Sequence, residues 1–245
     1  YMTKMCARAF CIFSLNGTFV HFLKKTKNND SIMKRLLILS IATLVSMSAF
    51  AQTKEPRKVK YIVKGGLTFP KFLYSGKNDV STVRSNTEFY VGALASVPVC
   101  KTLSVQSGLS LVGKGNRAAY ANYVEYIDLL YLEIPANLIA TFDAGKTGSV
   151  FVGAGPYLGF GLRGGIRKDY RGDIPTEFED ITFGNSPNMY QGVDFGFNFL
   201  LGYQLKNGFG VNGGYNLGIT NVYNDPTTEQ KIMNSGFSIG LSFAF

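Results

Sequence analysis

Glu133 and Asp194 are the carboxylates best placed for chemistry, because each stands among the small or polar positions of a segment that alternates with large apolar residues. Two facing carboxyl groups can work as general acid and general base, and Lys60, Lys64 and Arg163 are the cations that could balance them. A catalytic pair and a structural charge network both fit these residues. No serine-nucleophile motif or set of metal ligands accompanies the pair, so the sequence favours the structural network and predicts no catalytic, cofactor or metal site.

Two glycine-containing segments superficially resemble nucleotide-binding loops. Gly153–Gly159 has the sequence GAGPYLG, but a dinucleotide fingerprint must follow a strand and open a helix, and here the strand alternation continues through the segment. Gly145–Thr147 has the sequence GKT, like the end of a phosphate-binding loop, but Ala140 stands where that motif requires its earlier glycine. We therefore interpret the first segment as a strand with inward glycines and the second as a turn.

The segment 33–51 is typical of a secretory signal peptide. Lys34 and Arg35 give it a charged start, Leu36–Val45 is apolar, and Ala49–Ala51 matches the small-residue cleavage site. The apolar run is too short for a transmembrane helix, which needs about 20 apolar residues. We expect this segment to be cleaved from the mature protein.

Excluding the leader changes what the composition predicts. We expect residues 1–32 to be upstream, non-native sequence, and residues 52–245 to form the mature protein as a single domain. Residues 1–51 hold seven of the 25 basic residues but one of the 16 acidic ones, so the net charge falls from +9 to +3, and no case for a nucleic-acid partner remains. His21 is removed as well and Cys100 is the one remaining cysteine, which excludes an intramolecular disulfide and a Cys/His metal cluster.

Eight segments of the mature chain alternate with a period of two, which indicates β-strands. The last of them, Ser235–Phe245, has the sequence SGFSIGLSFAF, with large apolar residues at every second position and small uncharged residues between them. A tilted strand of about 9–11 residues can cross a bilayer, and such a strand would turn its apolar face to outer-membrane lipid. The predicted strands are Val59–Phe69, Asn86–Val97, Leu103–Gly113, Ile127–Phe142, Val150–Leu162, Tyr190–Gln204, Phe209–Tyr223 and Ser235–Phe245.

The connections alternate between long and short, which is typical of outer-membrane barrels with short periplasmic turns and long outer loops. We therefore predict an all-β fold, an eight-stranded antiparallel transmembrane β-barrel of up-and-down topology in a Gram-negative cell outer membrane, with both termini periplasmic. Eight strands enclose a lumen that side chains fill, which argues against a small-solute channel. The predicted long loops are 70–85, 114–126, 164–189 and 224–234, and the short turns are Pro98–Lys101, Asp143–Gly148 and Lys206–Gly208.

Several polar residues are predicted to point into the lumen and to form a structural network there. The predicted lumen network comprises Lys60, Lys64, Glu88, Tyr131, Glu133, Arg163, Asp194 and Asn198.

Pro135 lies within a predicted strand but cannot donate to the ladder, so it predicts a bulge or a gap in pairing.

The aromatic ending with Phe243 and Phe245 resembles the terminal strand by which outer-membrane barrels are recognised by the barrel-assembly machinery.

The central and final strands carry motifs of a known family. They are LYLEIP at Leu130–Pro135, GPYLG at Gly155–Gly159, DFG at Asp194–Gly196 after a long loop, and GFSIGL at Gly236–Leu241. Together they resemble the PorT-like outer-membrane β-barrels of Bacteroidetes, and the resemblance covers nearly all of the mature chain. The sequence departs from the family pattern where Ala136-Asn137 replaces the usual run of leucines.

No nucleophile–base pair is evident in the sequence, so we expect a barrel that is not an enzyme and has no cofactor. In the namesake branch the resemblance implies a part in type IX secretion, which exports proteases and other cargo with a C-terminal sorting domain, so secretion-system proteins are the expected partners. The alternative is a stand-alone surface barrel for adhesion or envelope integrity. Deletion of the gene followed by a census of secreted proteases would separate the two.

Overall fold

A computed structural model describes residues 58–75, 83–184, 189–223 and 231–245 of the chain. The predicted upstream sequence and the predicted signal peptide, residues 1–51, lie outside these ranges. No helix among the described residues has the length and apolarity needed to span a membrane.

All regular structure in the described ranges is β-strand, and the longest strands continue beyond the segments in which the sequence alternates strictly. β4, β5 and β6 are 17, 21 and 23 residues long. The ten strands are β1 (Lys60–Ser75), β2 (Val83–Arg84), β3 (Glu88–Pro98), β4 (Leu103–Ala119), β5 (Tyr123–Asp143), β6 (Gly148–Tyr170), β7 (Glu177–Ile181), β8 (Val193–Leu205), β9 (Phe209–Gly218) and β10 (Lys231–Ala244).

Eight of these strands close into a ring. Each pairs antiparallel with its neighbours in the order β1, β3, β4, β5, β6, β8, β9, β10. The ring closes because β10 also pairs with β1, from Ile62 opposite Ala244 to Ser75 opposite Lys231. The predicted eight-stranded antiparallel barrel is thereby confirmed. The two short strands lie beside the ring, with β2 on β4 and β7 on β6.

The end of the barrel that carries the long connections is more regular than predicted. β4 continues to Ala119 and β5 begins at Tyr123, so the predicted loop 114–126 is wrong for most of its length. β6 continues to Tyr170, and most of the predicted loop 164–189 is a hairpin between β6 and β7. The charged and glycine residues there resemble loop sequence, but the ladder needs backbone groups only. We call this the hairpin end, and the opposite end, with the connections after β3, β5 and β8, the turn end.

The ladder between β5 and β6 has one irregularity and one gap. Leu130 pairs with Arg163 but Tyr131 pairs with Gly161, so Leu162 is an extra residue in β6. Around Pro135 the pairing is interrupted on both sides while the register is unchanged. The predicted gap at Pro135 is confirmed, and the bulge lies closer to the hairpin end.

The two faces of the ring differ in chemistry. Outward residues are apolar and exposed on every strand of the ring, as the alternation predicted. Inward residues are small, aromatic or polar and are buried, and twelve of the described buried residues are polar or charged. The buried polar residues are Thr68, Ser96, Ser110, Lys114, Asn116, Glu133, Asn137, Asp194, Asn198, Asn234, Ser235 and Ser242.

Candidate functional site

The lumen contains a buried ion-pair network centred on Lys114. Lys114 points inward from β4 and is 4% exposed. Its Nζ lies 2.6 Å from Oε1 of Glu133 on β5 and 2.7 Å from Oδ2 of Asp194 on β8. The two carboxylates singled out in the sequence are therefore joined by one shared cation, and that cation is neither Lys60, Lys64 nor Arg163.

Asp194 is the most heavily bonded member of this network. Besides the Lys114 ammonium, Oδ2 accepts hydrogen bonds from Tyr157 Oη at 3.1 Å and Asn234 Nδ2 at 2.9 Å. Oδ1 accepts one from Thr220 Oγ1 at 2.7 Å. A buried carboxylate is stable only when it is paired and hydrogen-bonded, and here donors from β4, β6 and β10 and from Thr220, which follows β9, meet that need. The arrangement connects these strands and β8 across the lumen.

Aromatic rings enclose the Lys114 ammonium. Nζ lies 4.2 Å from the ring centroid of Tyr157 and 5.1 Å from that of Tyr131. The negative faces of the rings favour a cation at these distances. The cavity beside Lys114 measures about 10 Å³, which is room for about one water molecule. The two carboxylates are therefore held by protein groups, and the cavity beside Lys114 is too small for a substrate.

An apolar cluster closes the barrel on the hairpin side of this network. Tyr131, Leu129 and Ile127 on β5 pack with Phe72 and Val222. Phe183 packs edge-on against Tyr131 with 5.6 Å between the ring centroids. Gly161 makes room for it, since a Cβ there would lie 2.7 Å from the Phe183 ring. Partly buried residues complete the cluster, namely Tyr74, Ile166, Ile181, Phe183, Tyr190 and Ile232.

On the other side of the network the lumen is polar and then widens. Lys64 and Asn198 line a cavity of about 30 Å³, where Asn216 Nδ2 donates to Asn198 Oδ1 at 2.9 Å. Tyr90 Oη donates to Asn212 Oδ1 at 2.6 Å. Beyond Lys64 a larger cavity of about 310 Å³ occupies the turn end. The lumen is therefore closed at one end and hollow at the other.

The predicted lumen residues separate into three groups. Tyr131, Glu133 and Asp194 belong to the Lys114 network, Lys64 and Asn198 line the small cavity, and Lys60 lines the large one. Glu88 and Arg163 do not join them.

Glu88 and Arg163 lie beside a groove on the wall of the barrel near the hairpin end. Asn86 Nδ2 donates to Glu88 Oε1 at 3.0 Å and also to Asp128. The extra residue Leu162 shifts the alternation of β6, which is why Arg163 is exposed and not inward.

Two members of the network escaped the sequence analysis because they were assigned to loops. Lys114 follows Ser110 and Val112 at two-residue steps, so the alternation of β4 would have placed it inward. Asn234 immediately precedes the predicted last strand. The predicted third strand ended too early, and the predicted last strand began too late.

Phe243 on β10 and Phe245, which follows that strand, lie at the turn end. Phe243 packs against Phe209 and Phe245, with ring centroids 4.8 Å and 5.0 Å apart. The backbone N–H of Phe245 donates to the carbonyl of Tyr61 at 2.8 Å. Their proposed role in assembly stays a prediction.

At the hairpin end the strands continue beyond the outward-facing apolar residues of the ring. Their surface there is charged and aromatic. Arg117, Tyr126 and Arg167 stand side by side on β4, β5 and β6, and the Arg167 guanidinium lies 4.2 Å from the Tyr126 ring centroid. On the inner side of this extension, burial raises the pKa of the Glu125 carboxyl, and Lys168 partly offsets that shift. No group of three or more His, Cys, Asp or Glu side chains in the described ranges could hold a metal ion.

Comparison with known proteins gives a family match and several structural neighbours. The family model described as outer membrane protein beta-barrel domain matches residues 50–224. No curated protein matches the chain. Among solved structures, the attachment invasion locus protein Ail of Yersinia pestis is 12% identical, with 77% of this chain and 100% of that chain covered and a TM-score of 0.39.

Two further solved structures are also similar. For Neisserial surface protein A the identity is 17%, the coverage is 77% of this chain and 100% of that chain, and the TM-score is 0.41. For the N-terminal β-barrel domain of Pseudomonas aeruginosa OprF the identity is 12%, the coverage is 75% and 97%, and the TM-score is 0.28.

Proposed function

Because this chain belongs to the outer membrane protein β-barrel domain family, we propose that it is a non-enzymatic outer-membrane barrel that assists protein secretion through the surfaces at its two ends. Its location is the outer membrane, where lipid surrounds the exposed apolar residues on the outside of the ring. The barrel-assembly machinery is the proposed partner for its insertion, with Phe243 and Phe245 as the recognised residues.

The closed lumen is the observation that carries this proposal. The Lys114 network and the apolar cluster around Tyr131 fill the barrel across its width, so a solute has no continuous path through the described part of the lumen. Glu133 and Asp194, the strongest candidates for catalysis, are both bound to Lys114. The surfaces at the two ends of the barrel are therefore the proposed sites for partners.

The lengths of the connections support the proposed orientation. Outer-membrane barrels keep their short turns in the periplasm and their long connections outside. Under that rule the turn end, with Lys60 and Phe245, faces the periplasm and the hairpin end faces the medium. A secretion accessory in this orientation offers one surface to periplasmic components and another to cargo as it leaves.

The link to type IX secretion rests on the resemblance of LYLEIP, GPYLG and GFSIGL to the PorT-like barrels. The experiment is deletion of the gene in the source bacterium, with quantification of secreted and periplasmic proteins by mass spectrometry. We expect proteases with a C-terminal sorting domain to leave the medium and to accumulate as periplasmic precursors. The wild-type gene supplied in trans should restore them.

Proteins without the sorting domain provide the control for general envelope damage. Their distribution should not change in the deletion strain. Normal export of sorting-domain proteases after deletion would contradict the secretion role, and a loss of all periplasmic contents would indicate envelope integrity instead.

Adhesion is the second candidate function, and exposed apolar residues at the hairpin end favour it. Phe178 on β7 is 77% exposed and Ile174 in the preceding turn is 58% exposed. Apolar side chains projecting into water commonly mark contact surfaces. Cells carrying Ile174→Ser with Phe178→Ser should then attach less to surfaces or host material, whereas Asp173→Asn in the same turn should attach as wild type. Equal attachment of both variants would contradict adhesion through this hairpin.

A further inference from the structure

The cavity at the turn end of the lumen is lined by more cationic than anionic side chains. It measures about 310 Å³, which is within the size range of small-molecule sites. Its wall combines two kinds of side chain. The apolar part consists of Ile62, Leu94, Leu103, Ile139, Phe151 and Leu200.

The charged part of the wall is strongly basic. Lys58, Lys60, Lys64 and Lys101 line the cavity, and Asp143 is the acidic residue among its lining. Lys60, Ile62 and Lys64 follow one another on the inward face of β1, so the lysines run from the mouth of the cavity to its inner end. Lys58, Lys60 and Lys101 are exposed at the mouth and Lys64 is half-buried at the inner end. The excess of positive charge, four ammonium groups against one carboxylate, therefore extends from the mouth inward.

Lys64 at the inner end differs from Lys114 in having no anion. Its Nζ lies 5.6 Å from the ring centroid of Tyr90, and within the described ranges no carboxylate is within ion-pair distance of it. The nearest candidate, Glu133, is already bound to Lys114 at 2.6 Å. An ammonium that is partly removed from water is stabilised by a counter-charge or strong hydrogen bonds, so the cavity offers an anion a site at the half-buried Lys64.

We propose that this cavity binds a small anionic amphiphile, a carboxylate with an unbranched apolar chain, whose head group pairs with Lys64. The chain would lie against Ile62, Leu94 and Ile139, and its far end would reach the mouth near Lys60 and Lys101. Charge complementarity selects the anion, and the apolar wall between the lysines selects a ligand with a hydrocarbon chain over a bare inorganic ion. This proposal goes beyond the secretion role and does not depend on it.

The binding experiment uses the folded barrel in lipid nanodiscs with labelled isoleucine methyl groups, and decanoate as the probe. Ile62 and Ile139 line the cavity, while Ile134 and Ile239 are 40% and 62% exposed on the outside of the ring. Binding in the cavity predicts saturable shifts of the first two NMR signals. Shifts confined to Ile134 and Ile239 would mean that decanoate only dissolves in the lipid, and would overturn the proposal.

Decanol tests the role of charge without any mutation. It should bind roughly tenfold more weakly than decanoate, which is the change expected when one charge-assisted hydrogen bond is lost. Equal affinity of the two probes in the wild-type barrel would contradict the assignment of Lys64 as the head-group partner.

Variants of Lys64 complete the test. Lys64→Gln should weaken decanoate roughly tenfold and leave decanol unchanged, and Lys64→Arg should keep decanoate binding because it keeps the charge. Lys146→Gln, an exposed lysine in a turn at the same end that does not line the cavity, should bind as wild type. Unchanged decanoate affinity in a folded Lys64→Gln barrel would overturn the proposal.

Discussion

Within the described part of the chain, Lys114 is the cation that forms ion pairs with the two buried carboxylates Glu133 and Asp194. Its removal would leave Glu133 and Asp194 without a counter-charge in a space that holds very little water. Charges of the same sign in such a space repel strongly and lack solvation. The folding of this barrel therefore depends more on Lys114 than on any exposed charge.

We expect Lys114→Met to lower the free energy of unfolding by about 3–5 kcal/mol, the usual effect of removing one partner of a buried ion pair. Urea titration of the barrel in lipid vesicles, followed by its heat-modifiable migration, measures the change. Lys146→Met, which removes an exposed lysine, is the matched control and should stay within about 0.5 kcal/mol.

Adding Glu133→Gln and Asp194→Asn to Lys114→Met should recover part of the loss, because the network then contains no charged side chain. A change of less than 1 kcal/mol in the single variant would show that the carboxylates are protonated or solvated and would contradict the ion-pair assignment.

Phe197 and Asn198 are neighbours in β8 that face opposite media. Phe197 is on the outside of the ring, and Asn198 is buried in the lumen where it accepts from Asn216. Phe197→Arg should cost about 2–4 kcal/mol near the bilayer midplane, whereas Phe197→Leu should cost little because lipid fills the space. Asn198→Ala should cost about 1–3 kcal/mol if Asn216 loses its partner.

Unfolding of these three variants in bilayers gives the comparison. A large loss from Phe197→Leu alone would indicate that Phe197 is packed against protein, and the lipid-facing assignment of β8 would then be wrong.

At the scale of strands, prediction from sequence succeeded where one face meets lipid and the other the lumen. Alternation in Val150–Leu162 and Ser235–Phe245 is strict because the two faces have different solvents. Toward the hairpin end both faces of β4, β5 and β6 are polar or mixed, so the alternation fades although the ladder continues. Lys114 lies at that transition, which is why the key cation of the lumen was assigned to a loop.

Gly155 shows how closely β5 and β6 approach beside Pro135. A Cβ on Gly155 would overlap the carbonyl oxygen of Ala136 and lie 2.7 Å from the Cα of Asn137. Those are backbone atoms and cannot rotate away. We expect Gly155→Ala to destabilise the barrel by about 1–3 kcal/mol through forced separation of the strands, as measured by urea unfolding in vesicles.

Gly213 on β9 provides the control for this substitution. A Cβ there would meet its nearest atom, the carbonyl oxygen of Ser238, at 3.6 Å, which is ordinary contact. Gly213→Ala should therefore unfold like wild type. A Gly155→Ala variant as stable as Gly213→Ala would mean that the two strands can separate freely at the gap.

At the scale of the whole molecule, the two ends of the barrel differ in what a protease can reach. The connection 171–176 between β6 and β7 is exposed, whereas Arg167 and Lys168 are held in paired strands. Trypsin added to intact cells should therefore cut after Arg171 and leave Lys146 and Lys206 at the turn end uncut. Mass spectrometry of the fragments identifies the site.

Arg171→Gln is the control for this cleavage and should make the hairpin resistant to trypsin. Cleavage at Lys146 or Lys206 without lysis of the cells would reverse the proposed orientation of the barrel.

The pairing between β1 and β10 has a consequence for the order in which the molecule can form. It joins residues separated by most of the mature chain, such as Ile62 and Ala244, so it is the pairing with the largest loss of chain entropy on closure. Until it forms, both strands expose a full row of backbone donors and acceptors, which hydrocarbon cannot satisfy. Insertion of the first strand cannot be completed before the last strand has paired with it. A truncated chain that lacks the last strand would therefore not insert stably into the lipid.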